Sequence, residues 1–399
     1  MSDGQHGHGH AHGPGPAASR RTRRIVAAAL VPAALATLIA LVVLWPGQVE
    51  TPPERRGGER ALGTVTAVAE QACPAGAAQQ RCGSATVRIT DGPGAGGTQT
   101  VDLPQGPGAP RLEVGDDLVL LYAPDAVPGG PAYTVVDQQR STPLIWLVAL
   151  AVAVILAFGR WRGLRSLAGL AVSFGILLYF VLPAILDGSP PLLVAVVGAS
   201  AIMFAALYLT HGVTVHTSVA VAGTLASLVL TGILGAVFTS LLHLSGVGSD
   251  DTSYLSATQG DIDPRGLLLA GIVIGALGVL DDVTVTQAVT VAEMAAGGGR
   301  TRWGLYRSAI RVGRAHVGSA VNTIVLAYAG ASLPLLLLIA AGSDPVGELL
   351  TGEYLAQEIL RSAVGTIGLV ASVPITTALA VLVADAGTAV PARPRHARL

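Results

Sequence analysis

The chain has 399 residues, of which 51% are hydrophobic and only 12% charged, with a formal net charge of −1 and a mean hydropathy of +0.60. Soluble domains carry about 25% charged residues, so the composition excludes an ordinary soluble globular protein, and the near-zero net charge excludes a basic nucleic-acid binder. All 24 basic residues are arginine, a bias to which we attach no mechanism.

In chain order, residues 1–19 are a Gly/Pro/His low-complexity tract with no apolar pattern, which predicts disorder. Within it His6, His8, His10 and His12 alternate with small residues. Such a tract binds divalent transition metals loosely through neutral imidazoles, and it also arises by drift of low-complexity sequence. Arg20, Arg21, Arg23 and Arg24 precede an apolar run, read as a first membrane helix over 25–45. The run exceeds the 7–15-residue core of a signal peptide and ends in a poor cleavage site, so it predicts a retained helix rather than a removed leader.

Residues 50–140 change character. Short β-prone runs at 63–69, 85–90, 98–103, 117–122 and 132–137 are separated by Gly/Pro/Asp turns, which predicts about five strands closing a small OB-like barrel. Leu112–Asp117 reads as the turn feeding the fourth strand. Cys73 and Cys82, flanked by Pro74, Gly76 and Gly83, suit either a disulfide-closed loop in an oxidising compartment or two unpaired thiols.

From Pro143 onward the chain is predominantly apolar. Spans are predicted near 143–159, 164–186, 191–209, 217–242, 266–282 (or on to 296), 316–340 and 361–384, each long enough to cross roughly 30 Å of hydrocarbon. With the first helix these make about eight, in an all-α polytopic bundle over 143–385 with short tails at 1–24 and 386–399. Arginine-rich short loops stay cytoplasmic. Clusters at Arg20–Arg24, Arg160–Arg165, Arg300–Arg314 and Arg393–Arg398 all fall on one side, while Asp187, Asp250, Asp251, Asp261, Asp263, Asp344, Glu348, Glu353 and Glu358 fall on the other. Both termini are therefore expected in the cytoplasm and the β-domain outside, in a cell (inner or plasma) membrane. Arg265 and Arg361 are exceptions.

Polar groups within apolar helices cost free energy unless paired or facing a cavity, so they point to function. On one helix, Gly271, Gly275, Gly278, Asp282, Thr286, Thr290 and Glu293 share an arc of about 120°. The glycine half suits close approach by another helix, and the polar half, with Asp281 and Asp282, could line an aqueous path or bind a cation. If the span ends at 282, the aspartates merely meet water at the interface. The next helix aligns His316, Ser319, Ala320, Thr323, Ala327 and Gly330, with Asn322 beside them, either as a partner for that acidic face or as interhelical packing. His211 and His216 bracket a short turn without a third metal ligand. Thr224, Ser227, Thr231 and Gly235 align on one side of their helix, and Pro374 with Thr376 and Thr377 predicts a kink in the last one.

The stretches Thr210–Thr224, Gly278–Ala288 and Ala315–Leu338 resemble the YibE/F-like membrane proteins, over roughly 60–385. The resemblance implies a multi-pass bacterial membrane protein with an extracytoplasmic β-domain, and brings no substrate, reaction or residue role with it. No phosphate-cradling GxxxxGK[ST] loop, HExxH or GxSxG occurs, and intramembrane aspartyl proteolysis needs aspartates on two helices, so no enzyme and no cofactor are expected. The residues support a transporter or permease using Asp281, Asp282, Thr286, Thr290, Glu293, Ser319, Asn322 and Thr323, or a scaffold whose β-domain grips an envelope partner. The expected surroundings are a lipid bilayer, with an envelope protein or a second copy as possible company and no nucleic acid.

Overall fold

The computed structural model describes residues 20–47, 58–71, 73, 82–105, 109–124, 132–260, 262–341, 347 and 351–384. The histidine tract, the last arginine cluster, Asp261, Asp344 and Glu348 lie outside them. The chain forms two compact units, one of Glu50–Arg160 and one of Met1–Val49 with Trp161–Leu399.

In the first unit, β1 (Glu59–Gln71), β2 (Cys82–Asp91), β3 (Thr98–Asp102), β4 (Asp117–Tyr122) and β5 (Tyr133–Gln138) form one antiparallel sheet in the order β3-β2-β1-β4-β5. The edge strands β3 and β5 also come into contact. Period-two alternation sends Ala61 and Val65 of β1 and Ala85, Val87 and Ile89 of β2 to one face, where they meet Val101, Leu118, Leu120 and Tyr133 in a buried core. Gly63 sits where a Cβ would lie 2.5 Å from Val87 Cγ1 and 2.9 Å from the Arg88 carbonyl, so only glycine lets β1 and β2 pair there. Tyr133 donates from its hydroxyl to the Pro93 carbonyl at 2.8 Å. Cys73 and Cys82 are joined by a disulfide with a Cα–Cα distance of 5.1 Å. It ties the end of β1 to the start of β2, where Gln71 pairs with Cys82.

The α2 helix (Ser141–Ile176) starts in this unit and is broken at Arg160, whose φ of 49° and ψ of −129° are not helical. Before the break its apolar side chains are largely exposed among the described residues: Trp146 is 72% exposed and Phe158 96%. An all-round apolar helix of this kind is a membrane-type element.

The second unit continues from Trp161 through a π-helical turn at Leu177–Val181 into α3 (Leu182–Leu186). It also contains α1 (Arg20–Val43), α4 (Pro191–His211), α5 (Val215–Leu241), α6 (Asp250–Thr258), α7 (Pro264–Ala296), α8 (Arg302–Ala331), α9 (Leu333–Ala341) and α10 (Glu353–Val383). The centre is α7, which packs against α4, α5, α8 and α10, while α5 and α10 pack on each other. Ala195, Ala199, Val221, Val273, Ala276 and Leu280 fill the contact of α4, α5 and α7. Val219, Ala220, Ala288, Val291, Ala309 and Ala380 fill a second core farther along α7.

Three acidic residues at helix ends have structural tasks. Asp263 caps α7 by accepting from the Arg265 and Gly266 backbone N–H groups at 3.1 and 3.0 Å, and Asp187 accepts from the Gly47 N–H at 3.2 Å. Glu353 accepts from the Ser245 N–H at 2.6 Å and the Gly246 N–H at 3.1 Å, which ties the end of the α5 connection to the start of α10. Arg361, an exception to the charge pattern, is paired with Glu358 at 2.7 Å.

Six helices among the described residues are long and apolar enough to cross a membrane, against the eight expected. The difference arises at two places. The spans expected at 143–159 and 164–186 are joined into one kinked element, Ser141–Leu186. The single span expected at 316–340 is instead α8, which begins nearly four turns earlier in the arginine cluster, followed by α9. The interruption falls at Ser332, because Pro334 has no N–H to offer the Gly330 carbonyl. At the other uncertain boundary α7 is continuous to Ala296, about 50 Å of helix.

Candidate functional site

The polar groups of α7 divide onto two faces. One face, Thr284 and Gln287 among Val283, Ala288 and Val291, is buried in the bundle. Thr284 Oγ1 lies 2.7 Å from Thr224 Oγ1 of α5. Gln287 is 3% exposed and donates from Nε2 to the Thr377 hydroxyl of α10 at 2.7 Å and to the Ala309 carbonyl of α8 at 3.1 Å. A single carboxamide thus joins three helices. Gly313 makes this possible, since a Cβ there would lie 2.5 Å from Val373 Cγ1 and 2.8 Å from Gln287 Oε1.

The other face carries the residues singled out in sequence. Asp282, Thr286 and Glu293 are exposed, Asp281 and Thr290 half-buried. The Asp282 carboxylate, 76% exposed, lies 4.0 Å from Nε2 of His316 on α8, itself 44% exposed, and within electrostatic reach of His211 at the end of α4. Asp281 is turned toward the backbone, where its carboxylate accepts from the Asp282 N–H at 2.7 Å and its carbonyl from the Thr284 hydroxyl at 3.1 Å. Thr290 donates to the Thr286 carbonyl at 2.7 Å, the usual resolution of a threonine hydroxyl in an apolar helix.

Along the glycine half, Gly275 faces the Tyr328 hydroxyl of α8, which would stand 3.1 Å from an added Cβ, while Gly271 and Gly278 have open space before them. On α8, Ser319, Asn322 and Thr323 are exposed, and Thr323 donates to the Ser319 carbonyl at 3.0 Å. The structure therefore brings together Asp282 and His316, and Gly275 and Tyr328. It leaves Thr286, Glu293, Ser319, Asn322 and Thr323 exposed, and among the described residues nothing lies against Gly271 and Gly278. Among the described residues no group of three or more His, Cys, Asp or Glu side chains is positioned to hold a metal. His6, His8, His10 and His12 lie outside the described residues.

Gln287 escaped the reading of the sequence because it stands about 140° around the helix from Asp282. The available signal was a carboxamide in an apolar run with a threonine three residues before it, on the face opposite the charges. A buried carboxamide in such a run requires partners on other helices.

Residues 147–386, more than half the chain, match the family described as YibE/F-like protein. No curated protein and no solved structure matches the chain.

Proposed function

The chain belongs to the YibE/F-like family, a membrane-protein assignment that its apolar helices fit, and from that premise we propose that it is a transporter or permease. Its path runs along the polar half of α7 against α8, and a proton or cation couples at Asp281 and Asp282. The observation that carries this reading is the Asp282–His316 approach at 4.0 Å. A carboxylate and an imidazole on adjacent helices, both open on one side, form a pair that can take up and release a proton or hold a cation.

In this reading the chain crosses the cell membrane about eight times, with α2 counted twice across Arg160 and α8 with α9 forming one crossing. Both termini are cytoplasmic. The extracytoplasmic unit is an OB-like barrel, a reading supported by the strand order and the meeting of β3 with β5. The substrate is solute rather than a bond to be cleaved, so no enzymatic chemistry and no cofactor are assigned.

The test is flux in proteoliposomes, with pH-sensitive and cation-sensitive dyes inside. Asp281→Asn together with Asp282→Asn should lower proton or cation flux about tenfold or more, with protein level and fold unchanged. Unchanged flux for every ion tried, with an unchanged growth phenotype, would refute the pathway. The second reading, a scaffold gripping an envelope partner through the β-domain, is favoured by the separateness of the sheet unit. Deleting residues 60–140 distinguishes the two, because a permease keeps some flux and a scaffold loses all function.

A further inference from the structure

Two helices far apart in the chain carry the same string of small and hydroxylic positions. In α5 it is Gly223-x3-Ser227-x3-Thr231, and in α10 it is Gly368-x3-Ser372-x3-Thr376, each with alanine immediately before the serine (Ala226 and Ala371). All six positions are buried.

The two strings also meet, in opposite directions. A Cβ placed on Gly223 would collide with Thr376 Oγ1, and one placed on Gly368 would collide with Thr231 Oγ1. A glycine faces a threonine at each end of the contact, so Ser227 and Ser372 stand at its midpoint. Such reciprocal pairing defines a local two-fold axis across the seam. The match is broken at Pro374, which occupies the position that Val229 holds in α5.

The seam's chemistry suits movement. Ser227 donates to the Gly223 carbonyl at 2.8 Å, Thr231 to the Ser227 carbonyl at 2.8 Å, and Ser372 to the Leu369 carbonyl at 2.7 Å. These hydroxyls are satisfied within their own helices and do not tie α5 to α10. Thr376 Oγ1, fully buried, has no hydrogen-bond partner among the described residues and points at the Gly223 backbone. Small residues let the helices approach closely, and the two glycine–threonine contacts are what hold α5 against α10 at this crossing. The hydrogen bonds between helices here run through α7, to α5 at Thr224 and to α10 at Thr377.

We propose that α5 and α10 are matched halves of an inverted repeat, and that their crossing at Ser227 and Ser372 is the fulcrum about which the bundle rocks. Membrane transporters built from inverted repeats move one repeat against the other around such an axis. The proposal deepens the transport reading, on which its functional meaning rests.

Spin-label distance measurements on the full chain in lipid bilayers test it. Label pairs on exposed positions are Val229 with Val370 beside the axis, Leu241 with Ile359 at one end, and Val213 with Leu382 at the other. Cys73 and Cys82 are disulfide-bonded and do not react. The expected result is one narrow distance at the axis and two populations at each end. A single population at both ends, or a split distribution at the axis, overturns the fulcrum. The register is checked separately: Gly368→Ala should lower the melting temperature by several degrees, and Thr231→Ala in the same chain should restore at least half of the loss. Failure of that rescue overturns the pairing. Because no flux is measured, a fulcrum seen in a protein whose Asp281 and Asp282 variants transport normally would count against the coupling site alone.

Discussion

Asp137 shows how local geometry sets the behaviour of one side chain in the β-unit. Its carboxylate accepts from the Gln138 backbone N–H at 2.8 Å and from Arg140 Nη1 at 2.8 and 2.9 Å. The backbone hydrogen bond first, and the arginine second, hold its pKa below the ordinary carboxylate value. A carboxylate whose folded value is depressed contributes stability that is present above its unfolded pKa of about 4. That contribution is lost as pH falls through the lower folded value. A carbon-detected NMR titration of the intact protein should place the Asp137 midpoint below that of a free aspartate, and Arg140→Ala should move it part of the way back, since the Gln138 bond remains. An unshifted midpoint would show that these bonds are not kept in solution. In the same unit, burial first and the neighbouring Tyr122 second raise the pKa of Tyr133, whose hydroxyl donates to the Pro93 carbonyl. In the helical unit the decisive single residues are Gln287 and Asp282, a few positions apart on α7 and pointed in opposite directions, one into the bundle and one into the open face toward α8.

At the scale of elements, α7 matters because it is longer than a simple span and serves two purposes. Its first part packs α4 and α5 with apolar residues, and its second part gathers α5, α8 and α10 through Thr284 and Gln287. The position of α8 depends on Gly313, which passes over Gln287 and Val373. Gly313→Ala forces a methyl group into that contact and should cost about 1–3 kcal/mol, the range for overpacking a close-packed core. Unfolding in mild detergent would show it, and Gly318→Ala, on an open stretch of the same helix, should be close to neutral. Equal effects at both sites would mean that the packing at Gln287 adds nothing to the general response of a helix to a glycine-to-alanine change. The kink at Arg160 is a further element-scale feature. A non-glycine residue at φ 49° is a strained backbone position, and it falls where one compact unit gives way to the other.

For the whole molecule, the proposed orientation rests on where the charges fall along the chain. Arginines lie at the ends of helices expected to face the cytoplasm, and acidic residues at the opposite ends, where Asp263, Asp187 and Glu353 cap helices and bind loops. A cysteine replacing the exposed Arg300 should react with a membrane-impermeant thiol reagent only after cells are permeabilised, whereas one replacing the exposed Tyr254 of α6 should react in intact cells. The reverse labelling would overturn the proposed orientation.

Much of this was legible along the chain. The five β-prone runs lie within the five observed strands or one residue from them, since alternation at period two reports directly which side chains face a core. The apolar runs likewise located the long helices, because length and hydropathy are local properties. Helix ends were less legible: α8 begins among arginines, since its first turns are held by packing of Leu305 and Ala309 on α5, α7 and α10 rather than by their own apolarity. The charged face of α7 could be drawn on a helical wheel, but the wheel does not say which face is inside.

What the sequence by itself determined was membrane character, the small β-unit, and the residues sharing each helical face, because these follow from composition and from the 2.0 and 3.6 periodicities. Only the tertiary structure decided which faces meet. It put Gln287 rather than Asp282 in the packed interior, paired Gly223 with Thr376 and Gly368 with Thr231, and set His316 beside Asp282. Those choices depend on close approach between segments separated by tens to more than a hundred residues, and no periodicity within one helix encodes the register of another against it.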